Sequence, residues 1–130
     1  HRVLRAGGRL VVCAWLSADT PRRWQKRWLL EPICREGRMP IMGTVGDYRS
    51  LGEETGFSLR HFEDITKQVA PTWPAIVRRL AGKLLTNPIY LKFLLSRHAH
   101  NRIFALTIFR IWTAYRVGAM RYGVFTFVKL

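Results

Sequence analysis

A continuous apolar run near the start of the chain includes "LVVCAW", residues 10–15, preceded by Arg9. It shows no polar alternation, which is the pattern of a strand covered on both faces within a mostly parallel sheet. Ahead of it, "HRVLRAGG" reads as the end of a helix: Gly7 suits the left-handed position after a last turn, and Arg2 and Arg5 favour the negative end of the helix dipole. A helix, two glycines and a buried strand in that order point to an α/β fold. Two further strands are predicted at "FSLRHFEDI", 57–65, and at "MRYGVFTFV", 120–128, the latter rich in β-branched and aromatic residues.

Between these runs the apolar period lengthens to that of helices. Thr20-Pro21 predicts a helix start, with Trp24, Trp28 and Leu29 on one face, and Pro32 is expected to kink or interrupt it. Thr44 and Asp47 form a capping-box pair for a helix to about Thr55, closed by Gly56. From Pro74 to about residue 117 the chain reads as helical in three pieces, punctuated by Pro74, Asn87-Pro88 and "HAHN". The last piece, 102–117, is apolar on nearly every face and is expected to be buried, with Gly118 ending it.

Charge changes the picture more than composition does. With 130 residues and 48% hydrophobic content the chain suits one domain with a modest core. Because it opens on His1, we expect it to be part of a longer chain. Up to Asp64 it carries eleven Lys and Arg and all eight acids; beyond Asp64 it carries eleven Lys and Arg and no acid. A basic half of this kind attracts phosphates, nucleic acid or anionic lipid, or is simply a solvated face. A nucleic-acid module is the less favoured partner class, because the basic residues are spread through apolar helices and are not clustered with glycines and stacking aromatics. Cys13 and Cys34 have neither metal spacing nor a disulfide framework, and Cys13 is expected to be a small core residue, in keeping with a reducing cytoplasm. No secretory signal is visible, and Arg110 breaks "IFALTIFRIW" well short of a membrane span.

Ligands of open α/β sheets sit beyond the carboxyl ends of the strands. Trp15 lies at one such end, and the stretch from Asp64 to Trp73 follows another. Within that stretch "APTWP" holds Trp73 between Pro71 and Pro74, which suits either a packed start to a helix or the rigid wall of a pocket beside Asp64. The segments "RVLRAGGRLVVCAW", "GDYRSLGEETGF", "EDITKQVAPTWPAIV" and "AYRVGAMRYGVFTFVK" together resemble, in this order, class I S-adenosylmethionine-dependent methyltransferases. More narrowly the chain resembles the C-terminal half of the tocopherol O-methyltransferase-like group, whose D-x-[ST]-x-x-V-x-P-x-W-P stretch matches Asp64, Thr66, Val69, Pro71, Trp73 and Pro74.

That resemblance implies an α/β fold, the C-terminal part of a Rossmann-like sheet of order 3-2-1-4-5-7-6. Residues 1–130 would supply strands five, six and an antiparallel seven, with a helical substrate lid at about 74–117. The cofactor is then S-adenosylmethionine, bound mainly by an N-terminal half whose glycine-rich loop this sequence lacks; "AGG" precedes a strand and does not link strand to helix. The substrate would be a small apolar or phenolic metabolite, contacted by Trp15, Val69, Pro71 and Trp73. Methyl transfer is an in-line displacement that needs alignment first, and a hydroxyl acceptor gains from a base. Asp64 is the first candidate for that base and His61 the second, while a solvated turn carboxylate is the plain alternative for Asp64. His61, His98 and His100 also suit ordinary surface or packing roles, and no metal site is expected. Apolar and aromatic residues of the lid (Tyr90, Phe93, Leu94, Phe104, Phe109, Trp112 and Tyr115) are interleaved with Arg78, Arg79, Lys83, Lys92, Arg97 and Arg102, which suits peripheral contact with an anionic membrane surface, with ordinary core packing as the plain alternative for the aromatics.

Overall fold

The computed structural model describes residues 2–95 and 101–130, with side-chain surroundings for 2–92 and 106–130. Three strands form one sheet: β1 (Arg9–Ser17), β2 (Phe57–Asp64) and β3 (Met120–Lys129). Their order is β1-β3-β2, and β3 runs antiparallel to both neighbours. The carboxyl ends of β1 and β2 therefore lie at the same end of the sheet as the start of β3. Trp15 pairs with Tyr122 there, and Asp64 pairs with Gly123. The order is the five-seven-six arrangement that the resemblance implies.

Residues 2–8 are turns, not the helix end that was expected. Gly7 nonetheless has φ +74°, and its N–H donates to the Lys129 carbonyl at 2.9 Å, so the glycine serves the sheet ladder instead of a helix cap. Nor is β1 covered on both faces: Leu10, Val11 and Cys13 are exposed, and β1 is the edge of the sheet. Cys13 is thus no core residue here. Cys34 is, and burial pushes its thiol pKa up, opposed by a backbone hydrogen bond from Met42.

The first helical stretch, 23–36, begins two residues later than Thr20-Pro21 predicts. Arg22 occupies the cap position, and its backbone N–H donates to Gln25 Oε1 at 2.8 Å. Gln25 is buried, and its Nε2 also donates to the Val117 carbonyl, which gives a polar side chain reason to be inside. Pro32 does not break the stretch. Between α1 (Arg23–Gln25) and α2 (Glu31–Glu36) lies a π-helical turn, Lys26–Leu30, in which the Glu31 N–H reaches back to Lys26. The wider turn accommodates the proline ring and its missing donor at the start of α2. Helix α3 (Val45–Glu54) has the predicted capping box: the Asp47 N–H donates to Thr44 Oγ1, while the Asp47 carboxylate accepts the Thr44 N–H at 2.7 Å. Gly56, with φ +81°, follows its end as expected.

Helices α4 (Thr66–Val69), α5 (Thr72–Thr86), α6 (Pro88–Leu95) and α7 (Asn101–Arg116) follow β2. Helix α5 starts two residues before Pro74, which sits in the first turn, where backbone N–H groups have no intrahelical acceptor to lose. His98 and His100 lie outside the described residues. Among the described side chains of α7, from residue 106 on, one stripe is buried (Ile108, Ile111, Ala114 and Tyr115), while Leu106 and Phe109 are exposed, so this part of the helix is amphipathic and not buried all round. Gly118, at φ +71°, ends it.

Two cores result. Under α3, one face of the sheet packs Ala14, Leu16, Phe57, Phe125 and Phe127. A Cβ at Gly52 would collide with the Phe127 ring, which explains a glycine inside α3 despite its helix cost of about 1 kcal/mol. On the other face, Leu29, Leu30, Ile33 and Cys34 meet Ile111, Ala114 and Tyr115 above Met120. Glu36 ties α2 to α7, its carboxylate accepting from Thr107 and pairing with Arg110.

Candidate functional site

At the carboxyl end of the sheet the "EDITKQVAPTWP" stretch is fastened to β3 by its own polar residues. The Asp64 carboxylate accepts the Thr66 N–H at 2.9 Å, and Thr66 Oγ1 accepts the Tyr122 N–H at 2.9 Å. The Ile65 N–H adds a bond to the Tyr122 carbonyl. One turn of α4 then leads to Pro71, whose φ of −63° suits the approach to α5, and Trp73 falls over the sheet.

Trp73 meets Trp15 edge to face with ring centroids 6.1 Å apart, and it stacks on Tyr115 from α7, also at 6.1 Å. Val69, Ala70 and Tyr122 pack on the same cluster. The structure therefore brings together Trp15, Val69 and Trp73 of the expected substrate residues, with Asp64 at the edge. Pro71 is exposed and stays outside the cluster. His61 is exposed in mid-strand, opposite Thr126 next to a register shift, about 10 Å of strand short of the aromatic end.

Sequence reasoning placed Tyr115 in the lid without giving it a site role, and it missed Tyr122. The available signal for Tyr115 was its place four residues after Ile111, on the buried stripe of α7. The structure makes Tyr115 the chemically notable member. Its hydroxyl and the Trp73 indole N–H are buried, and among the described residues neither has a hydrogen-bond partner. Burial, followed by the neighbouring Tyr122, pushes the Tyr115 pKa up to about 12; the nearby Trp73 N–H opposes this without reaching bonding geometry, and Asp64 adds to the rise. Tyr115 consequently stays protonated over the physiological range and is a donor, not a base.

Leaving such groups unpaired costs about 1–3 kcal/mol each. Tyr115→Phe is therefore expected to leave the melting temperature of the protein unchanged or raised. A fall equivalent to more than about 1 kcal/mol would show that the hydroxyl has a partner in the folded protein.

Two hollows border this end of the sheet. One of about 290 Å³ runs along the free edge of β1 and is lined by Cys13, Trp15, Met42, Tyr48 and Tyr122. The other, about 590 Å³, lies beyond Ser17 between α2 and the chain before α3, with Lys26, Glu31, Cys34 and Asp47 on its walls. The larger one is lined by no member of the aromatic cluster, whereas Trp15 and Tyr122 line the smaller, so the cluster and the smaller hollow form the better candidate for the acceptor side. Among the described residues no cluster of His, Cys, Asp or Glu could hold a metal ion.

Known proteins resemble this chain over nearly its whole length. No family model matches it. The chloroplastic tocopherol O-methyltransferase of Arabidopsis thaliana is 28% identical over 135 residues, a match that takes in 98% of this chain and 37% of that protein. Among solved structures, a protein assigned as a sarcosine dimethylglycine methyltransferase from Galdieria sulphuraria superposes with TM-score 0.74 at 18% identity, over 98% of this chain and 44% of its own. The chain has the fold of the C-terminal part of class I methyltransferases. A geranyl diphosphate methyltransferase in complex with SAM gives TM-score 0.63 at 15% identity, covering 98% of this chain and 41% of that one. Against each of these methyltransferases the chain spans less than half the relative's length.

Proposed function

We propose that this chain is the substrate-side half of an S-adenosylmethionine-dependent methyltransferase acting on a small apolar or phenolic metabolite. The observation that supports the reading is the chain-long likeness, in sequence and in strand order, to methyltransferases. The residues here do not fit the cofactor itself: Gly7 and Gly8 lead into β1 and pair with Lys129, so they offer no glycine-rich turn from strand to helix. S-adenosylmethionine would supply the methyl group from elsewhere in the whole enzyme.

What this chain contributes is the acceptor side. Trp15, Trp73, Tyr115 and Tyr122 form an apolar wall that excludes water and orients a flat or isoprenoid acceptor. The Tyr115 hydroxyl and Trp73 indole N–H are unspent donors suited to an acceptor oxygen. Asp64, exposed at the carboxyl end of β2, takes the proton from an acceptor hydroxyl as the methyl group arrives.

Full-length enzyme with radiolabelled S-adenosylmethionine and a panel of phenols, isoprenoids and lipids tests the reading directly; no transfer to any of them defeats it. Asp64→Asn separates the two roles of Asp64, since an amide oxygen still accepts the Thr66 N–H. We expect kcat to fall about 10²- to 10⁴-fold with little change in melting temperature. An unchanged kcat would leave Asp64 only as the acceptor of the Thr66 N–H.

A further inference from the structure

The turn between α5 and α6 carries apolar side chains into solvent. Leu85 and Ile89 are 88% and 74% exposed, and Tyr90 and Leu91 are exposed as well. They flank Asn87, whose side-chain oxygen accepts the Ile89 N–H at 3.0 Å and fixes the start of α6. Helix α5 has no fully buried residue, although its residues Ile76, Val77 and Leu80 are half-buried toward the rest of the chain. Packing among the described residues therefore does not account for the apolar residues at this tip.

The surrounding charge is of one sign. Arg78, Arg79, Lys83 and Lys92 are exposed along α5 and α6, and the sequence has no acid after Asp64. Lys83 Nζ sits 5.6 Å from the Tyr90 ring centroid, so cation and aromatic lie side by side on this surface. An interface with another folded segment would pair such charges with carboxylates or leave them at its rim, whereas an anionic bilayer offers acyl chains to the tip and phosphates to the rim together. Nucleic acid matches the charge but offers nothing to Leu85 and Ile89.

We propose that the α5–α6 tip is a docking surface for an anionic lipid membrane, with Leu85 and Ile89 entering the headgroup boundary and Arg78, Arg79, Lys83 and Lys92 binding the lipid phosphates. The helices lie on the surface and do not cross it: among the described residues no helix is long and apolar enough to span a bilayer. This does not depend on the methyl-transfer reading, because the surface needs no acceptor or cofactor.

Sedimentation of full-length protein with sucrose-loaded vesicles tests it. Vesicles of phosphatidylcholine with 30%, as a working ratio of about one in three, of phosphatidylserine should bind the protein, pure phosphatidylcholine should bind it far more weakly, and raised salt should weaken the difference. The pair R78Q/R79Q should lower partition by about 25-fold, about fivefold for each charge. The pair L85D/I89D should abolish partition while the melting temperature stays within a degree or so of the parent, since both side chains are already in water. Equal binding to both vesicles, binding to neither, or partition that L85D/I89D leaves unchanged overturns the proposal. So does displacement by single-stranded RNA together with unaltered RNA binding in L85D/I89D, which would assign the surface to nucleic acid.

Discussion

Calorimetric titration of the 130-residue chain with S-adenosylmethionine is expected to give no heat of binding, and the same chain is expected to transfer no methyl group. Class I methyltransferases of the kind it resembles need a glycine-rich turn between a strand and a helix, where backbone N–H groups and the helix N-terminus meet the ligand. Here the paired glycines lie before β1, and β1 runs into a cap at Arg22 with no glycine between residues 9 and 36. The sheet gives a second reason. β1 is an edge, with Val11 58% exposed and Cys13 open to solvent, although its unbroken apolar run is that of a strand covered on both faces. Unpaired N–H and C=O groups along an apolar edge template association, so concentrated solutions of the chain alone should also aggregate. Micromolar binding of the cofactor by the purified chain would refute the first expectation, and a monodisperse sedimentation profile at high concentration would refute the second.

The largest expected stability effect is that of Phe125→Ala. Phe125 is fully buried at the centre of β3, stacked on Tyr48 of α3 at 5.1 Å and on Phe127 at 5.9 Å, with Phe62 of β2 at 4.8 Å. One side chain thus joins the middle strand, its neighbour and the covering helix. Truncation removes its transfer free energy and leaves a cavity among rings too rigid to collapse into it, for a loss of about 3–5 kcal/mol. Phe109→Ala, on the 51%-exposed side of α7, should cost less than about 1 kcal/mol by the same measurement. Denaturant unfolding of the full-length protein compares the two; similar losses would mean that the burial of Phe125 does not govern this core.

How much of this was legible beforehand depended on whether the signal was local. Thr44 and Asp47 are three residues apart and close their capping box within one turn, so the sequence sufficed to find it. The strands at Phe57–Asp64 and Met120–Lys129 were readable from composition because their burial follows from the residues themselves. Pro32 shows the limit of such reading. Its cost to a helix is real, but a π turn at Lys26–Leu30 absorbs it, and that turn is stabilised by Leu29 and Leu30 packing against α7, far away in sequence. Leu106 and Phe109 were misjudged for the opposite reason: an apolar helix declares how much surface it has to bury, not how much a partner will cover.

For the candidate site the division is similar. The sequence by itself determined that a tryptophan fixed between prolines would follow the end of a strand, and that Asp64 and Thr66 would stand just before it. It also determined the charge of the second half, since no fold can supply the missing acids. Only the tertiary structure decided what Trp73 touches. Trp15, Tyr115 and Tyr122 come from three separate elements, and their meeting depends on β3 lying between β1 and β2, a pairing set by long-range burial of Phe125 and Met120. The unpaired Tyr115 hydroxyl and Trp73 N–H are likewise properties of that assembly, because a polar atom's lack of a partner is decided by every element that packs around it.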